Sequence, residues 1–317
     1  MRTTKERTSI AKPFLKWVGG KGQLLSQFEE VLPSQLYDEK FIYIEPFVGG
    51  GAMLFYMLQR FPWIETAVVN DINPHLMGAY LVVKEHPERL VSTLRLMETE
   101  YKSIRREDSR KDFYLSIRQQ YNEETVDAVD KTAQLIFLNK TCFNGLYREN
   151  AKGKFNVPFG RYANPTICDE AVIYADSELL NRYKVQIVNG DFMQTIHYLD
   201  RATLNFIYFD PPYRPISATS SFNSYVKEVF DDVRQCDLAE YCRTLSRRKD
   251  CLWMLSNSDC SSQDSRDFFF ERLYSGFHIH RVYATRSVNA IGSKRGKLSE
   301  LLICNYENEQ QSLNIVI

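Results

Sequence analysis

Apolar residues along the chain fall into two kinds of run. Short continuous blocks at 41–45, 66–70, 184–188, 205–209, 252–255, 277–283 and 298–304 have the length and the β-branched or aromatic content of buried strands. Helical spacing dominates from about residue 85 to 140, with apolar positions at Leu90, Leu94 and Met97, then Phe113, Leu115 and Ile117, then Leu135, Ile136 and Leu138. Residues 52–58 also predict a helix, and Pro74 opens another at a favoured early position.

Strand alternating with helix predicts an α/β fold with a parallel, doubly wound sheet. The last two strand blocks could form an antiparallel pair. No strand signal interrupts the helical region before residue 184, so roughly 80–183 reads as a mainly helical insertion into a sheet built from both ends of the chain. The expected division is 1–79 with 184–317 as one domain and 80–183 as the other. The first nine residues and the tail after Tyr306 are polar and read as loose ends.

The 317 residues suit one large domain or two modest ones. No apolar run approaches a transmembrane length, and the start lacks the apolar core of a secretory signal. Seven cysteines form no CxxC pair and leave an odd one over, which predicts reduced thiols in a cytoplasmic protein. Forty basic residues balance forty acidic ones, so a nucleic-acid surface would have to be local. Candidate stretches are 102–111, 148–161 and 286–297, and each taken alone reads as a solvated face before it reads as a binding site.

The most informative motif is Asp210-Pro211-Pro212-Tyr213, directly after a strand block. It places a carboxylate at a strand's carboxyl end, where open α/β sheets hold ligands. The prolines fix φ and keep their carbonyls as acceptors. A carboxylate, a rigid carbonyl and a flat ring together suit a planar group bearing an NH2, such as adenine or cytosine.

Phe47-Val48-Gly49-Gly50-Gly51 lies between the first strand and its helix, where glycine lets the backbone turn sharply beside a ligand. Asp71 follows Gly51 by twenty residues, the placement of an acid that binds ribose hydroxyls. The glycine spacing is not GxGxxG, and Gly19-Gly20-Lys21-Gly22 does not complete a P-loop. Asp191-Phe192 reads either as a partner for an adenine's amine and face or as a helix N-cap beside a core ring. Trp17, Gly19, Gly20 and Lys21 could hold a carboxylate, although a surface turn with a solvated lysine and a packed Trp is the simpler reading. Residues 143–148 and 155–161 flank a loop that predicts a hairpin within the insertion.

Taken together, segments 13–21, 45–51, 144–148, 155–162 and 210–213 resemble DNA adenine-N6 methyltransferases of the Dam type (D12 class), which methylate GATC. The resemblance spans roughly residues 12–306 and keeps the order of glycine loop, target-recognition insertion and Asp-Pro-Pro-Tyr. It implies a Rossmann-like sheet that binds S-adenosylmethionine, with a target-recognition domain inserted into it. Trp17, Lys21, Phe47, Gly49, Gly51, Asp71, Asp191, Phe192 and Asp210 would hold the cofactor. Asp210, Pro211, Pro212 and Tyr213 would act on the adenine. Lys16, Phe143, Asn144, Leu146, Arg148, Pro158 and Arg161 would contact double-stranded DNA, and 285–297 resembles a mobile loop near it. The family uses no metal and no covalent cysteine. It further implies a monomer, functionally paired in some members with a restriction endonuclease. The chain departs from the family in a short N-terminal extension and in Phe143, where some members carry tyrosine. A cytosine-N4 methyltransferase more often has serine before the two prolines, and methylation of RNA is a further alternative. The intact motif argues against a DNA-binding module without catalysis. The glycine spacing argues against a dinucleotide-dependent oxidoreductase.

Overall fold

The computed structural model describes residues 10–123, 126–214, 230–262, 264–284 and 298–307. The expected mobile loop at 285–297, residues 1–9 and the tail from 308 lie outside that description. The chain divides into two compact units. The described residues within Met1–Gly20, Gly49–Arg60 and Asn73–Ile187 form one, and those within Lys21–Val48, Phe61–Ile72 and Val188–Ile317 form the other.

Seven strands make one sheet: β1 (Phe41–Glu45), β2 (Ile64–Asp71), β3 (Gln186–Asn189), β4 (Leu204–Phe209), β5 (Cys251–Ser258), β6 (His278–Ala284) and β7 (Leu298–Cys304). Their spatial order is β3-β2-β1-β4-β5-β7-β6. β1 runs parallel to both β2 and β4, and β4 parallel to β5. β7 is antiparallel to β5 and to β6, as the sequence suggested for the last two strands.

The apolar blocks are continuous because both faces of the sheet are covered. On one face Ile44, Ile207, Phe209, Trp253, Leu255, Leu301 and Ile303 share a core with Leu238, Cys242 and Leu245 of a helix at Asp232–Ser246. Alternate residues turn to the other face, where Tyr43 stacks on Phe206 at 6.2 Å and Tyr208 meets Phe28 at 6.0 Å. β3 starts two residues later than the pattern predicts. Lys184 takes a left-handed φ of 48° at the end of the preceding helix, which delays the extended run.

The other unit is mainly helical, and its central helix, Ala128–Thr141, is buried on most sides. Side chains of the helix Glu107–Glu123 hold the segment that follows. The Tyr114 hydroxyl donates to the Val157 carbonyl at 2.7 Å, and Asn122 bonds both the N–H and the carbonyl of Phe155. The predicted hairpin appears as two isolated antiparallel bridges, Cys142 with Phe159 and Glu149 with Phe155. Among the described residues no helix is long and apolar enough to cross a membrane.

Candidate functional site

Asp210 immediately follows β4, whose buried run delivers it to the carboxyl end of the parallel strands. Lys21 Nζ lies 3.1 Å from its carboxylate, and the Ser256 hydroxyl of β5 donates to the same oxygen at 2.9 Å. Burial raises the Asp210 pKa, and Lys21 and Ser256 oppose that shift. Lys21 is only 4% exposed. The solvated lysine of the simpler sequence reading is therefore replaced by a buried ammonium. It also approaches Glu300 of β7 at 3.5 Å and lies 4.2 Å from the centroid of the Tyr213 ring.

Tyr213 is held at both ends. Its chain follows two prolines, and its hydroxyl donates to Glu300 at 2.6 Å. The Pro212 carbonyl accepts from Gln235 at 3.1 Å, and Gln235 in turn accepts from Asn257 at 3.2 Å. Both amide side chains are fully buried, so each polar atom must find an internal partner. Beneath this group Glu45 ends β1 and accepts from the Tyr43 hydroxyl at 2.7 Å. Burial holds the Glu45 carboxyl well above the usual range, and the nearby Asp210 charge adds to the effect. The Lys21 ammonium thus faces two acidic side chains, Asp210 and Glu300. A site in which acids outnumber their cation suits a cationic centre.

In the same unit, Asp71 closes β2, and its carbonyl accepts from the Asn189 side chain at 2.8 Å. Asp191 caps a 3-10 helix by accepting from Met193 N–H at 2.9 Å, and its other oxygen pairs with Arg234. Phe192 is 3% exposed and packs against Phe47 at 5.2 Å, with the Arg234 guanidinium 5.0 Å from its ring centre. The cap-and-core reading of Asp191-Phe192 therefore holds locally. It leaves the pair on the same sheet edge as Asp71, because Gly190 N–H reaches the Asp71 carbonyl.

The helical unit gathers the remaining motif residues. Gly49 and Gly51 have φ of 49° and 79°. A Cβ on Gly49 would lie 3.0 Å from the Trp17 indole, and one on Gly51 would overlap the Tyr80 hydroxyl. That hydroxyl donates to the Gly49 carbonyl at 3.1 Å. Trp17 stacks on Tyr147 with centroids 5.1 Å apart.

Asn139 ties Lys16, an expected DNA contact, to the Phe143–Gly145 turn. It accepts from Lys16 N–H at 2.8 Å and donates to the carbonyls of Lys16 and Gly145, each at 2.9 Å. Phe143, 51% exposed, starts the turn, and Asn144 takes a left-handed φ of 56°. Phe143 N–H donates to Pro158 at 2.8 Å. Arg148 is steadied by the side chain and carbonyl of Asn156, at 2.7 and 3.2 Å. Leu146 is half-buried, whereas Arg161 is exposed with φ of 60°. Sequence reasoning missed Glu300, Ser256, Gln235, Asn139 and Asn156. Glu300, Ser256, Gln235 and Asn139 are polar residues of strands or helices marked only by their burial, and Asn156 is a half-buried loop residue marked only by its bonds to Arg148.

The family described as D12 class N6 adenine-specific DNA methyltransferase matches residues 17–288. The type II methyltransferase M.MjaIII of Methanocaldococcus jannaschii is 48% identical over 299 residues, covering 93% of this chain and 99% of that protein. The type II methyltransferase M1.LlaDCHI of Lactococcus lactis subsp. cremoris is 38% identical, covering 94% and 96%. A DNA adenine methylase of Vibrio cholerae is 30% identical, covering 92% and 95%.

Proposed function

The chain belongs to the D12 class N6 adenine-specific DNA methyltransferase family, and from that premise we propose that it transfers a methyl group from S-adenosylmethionine to an adenine flipped out of double-stranded DNA, within GATC. The observation that carries the reading is Asp210 at the end of β4, mostly buried and still bonded to Lys21 and Ser256. Part of the donor set fits the cofactor: Asp71 offers a carboxylate to ribose hydroxyls, and the acids around Lys21 complement a sulfonium, whereas Asp191 and Phe192, engaged by Met193, Arg234 and Phe47, are assigned to its adenine by the motif alone. The motif assigns Trp17, Lys21, Phe47, Gly49 and Gly51 to the cofactor as well, and that part of the assignment rests on the sequence. S-adenosylmethionine, when bound, supplies an electrophilic methyl on sulfur.

The chain's own residues do the rest. Adenine inside a duplex is out of reach, and extruding it costs a few kcal/mol. Tyr213 offsets part of that cost by stacking on the extruded ring. The amine is a poor nucleophile because its lone pair is delocalised into the purine. Asp210 and the Pro211 carbonyl accept its two N–H bonds, favour a pyramidal nitrogen and stabilise the positive charge that grows there. Asp210 and the Pro211 carbonyl would hold the amine in line with the methyl that S-adenosylmethionine supplies, so alignment supplies much of the remaining rate. The C–S electron pair would stay on the cofactor as a neutral thioether, and one N–H proton would pass by way of Asp210 to solvent.

In the helical unit, 80–183 serves as the target-recognition domain in this reading. Phe143 inserts into the base stack, while Arg148 and Leu146 read base edges. Lys16 and Pro158 contact the edges of the site, and Asn144 and Arg161 lie on the same DNA-facing segment. Monomeric action and pairing with a companion endonuclease belong to the same proposal and rest on the sequence resemblance. The test is incubation with methyl-labelled S-adenosylmethionine and duplexes with and without GATC. Label on adenine N6 of the GATC duplex alone is the expected result. Label on cytosine, on RNA or on neither duplex rejects it.

A further inference from the structure

We propose that Glu300 is a positioning residue for methyl transfer, fixing the ring of Tyr213 and the ammonium of Lys21 from a strand that carries no part of the Asp210-to-Tyr213 motif. The inference rests on the adenine-methyltransferase reading above. Glu300 sits in the middle of the sheet, paired with Ser258 of β5 and Val282 of β6. Its neighbours along β7, Leu301, Leu302 and Ile303, are fully buried apolar residues. A side chain only 12% exposed at such a position would serve stability better if it were apolar. Among the described residues, Glu300 instead bonds to two side chains of the candidate site. Its Oε2 accepts from the Tyr213 hydroxyl at 2.6 Å and lies 3.5 Å from Lys21 Nζ.

Two consequences follow for the chemistry. A tyrosine ring held only at its backbone can swing about two side-chain torsions. A charge-assisted bond at its far end removes that freedom, so the face offered to an extruded base is set before the base arrives. Glu300 also shares the ammonium that pairs with Asp210 at 3.1 Å. Without it, Lys21 would neutralise Asp210 alone and weaken that carboxylate as an acceptor for the amine's N–H.

The experiment is steady-state methyl transfer to plasmid DNA by the wild type and by Glu300→Ala, Glu300→Gln, Tyr213→Phe and the Tyr213→Phe, Glu300→Ala double variant, with thermal unfolding as a fold control. Misplaced reacting groups typically cost about 10²-fold, so Glu300→Ala should lose about that factor in kcat while KM for S-adenosylmethionine stays close to wild type. Glu300→Gln keeps an acceptor for the hydroxyl and should recover part of the rate. The double variant should be no slower than the slower single variant, because both changes break one bond. The assignment is overturned if Glu300→Ala turns over like the wild type, if the loss falls on KM alone, or if the two single losses multiply. Should Glu300→Ala fail to fold, Glu300→Gln decides: unchanged kcat overturns the assignment, and a fall in kcat at unchanged KM supports it. A wild type that labels no DNA defeats the parent reading instead, a result distinct from an active wild type with an equally active Glu300→Ala.

Discussion

Lys21 holds its ammonium 3.1 Å from Asp210 with only 4% of its side chain exposed. A cation this deep must be paired, and its two carboxylate partners are in turn stabilised by it. Breaking a buried pair by removing one member costs about 3–5 kcal/mol, because the remaining charge is left unmatched. Lys21→Met should therefore lower the urea midpoint by a loss of that order and abolish methyl transfer. A midpoint equal to wild type would show that the pair contributes nothing to the fold.

Gly51 combines a φ of 79° with a Tyr80 hydroxyl where a Cβ would go. A non-glycine residue in such a conformation costs about 1–3 kcal/mol. Gly51→Ala should lower the thermal midpoint, and adding Tyr80→Phe should recover only the part due to overlap. Full recovery would mean that the backbone conformation is not strained.

Asp176 is buried in the helical unit, where it accepts from Lys12 N–H at 3.1 Å and its second oxygen has no hydrogen-bond partner among the described residues. Burial pushes its carboxyl up to about 8 from the ordinary 3.8, and the Lys12 N–H opposes that shift. The folded state then binds more protons than the unfolded state between these values, so the contribution of Asp176 to stability is present below 3.8 and is lost as pH rises toward about 8. Asp176→Asn removes that slope. Urea titrations at several pH values across this window should show the variant gaining on the wild type as pH rises. Parallel curves would contradict the assignment.

Much of the sheet was legible from apolar runs. β1 and β7 begin and end where the pattern places them, at Phe41 and Glu45 and at Leu298 and Cys304. The Asp210 motif was legible because its prolines and ring stand next to one another in the chain. Glu300 was not, because its partner Tyr213 lies 87 residues away and only the antiparallel pairing of β7 brings them together. Lys21 read as a surface residue because glycines flank it, and nothing nearby in sequence announces the two acids that bury it.

Phe143 is exposed, so Phe143→Ala should leave unfolding within about 0.5 kcal/mol of wild type. It should instead slow methylation of duplex DNA and spare a substrate whose target adenine is mismatched and already loosened. Equal losses on both substrates would contradict an inserting role.

Arg148 is aimed by Asn156, with bonds of 2.7 and 3.2 Å. A bidentate contact to a base discriminates by about 1–3 kcal/mol. Arg148→Ala should relax sequence choice by that amount, and Asn156→Ala should do so more weakly through loss of orientation. Methylation rates on a panel of single-substitution sites would show it. A uniform fall on every sequence would indicate a phosphate contact.

The most direct test concerns the carboxylate itself. Removing one preorganised group aimed at developing charge costs about 10²–10³-fold in kcat. Single-turnover methyl transfer by Asp210→Ala should fall by at least that factor while its unfolding transition stays cooperative and its affinity for duplex DNA is kept. Transfer at a rate close to wild type by that folded variant would contradict the account.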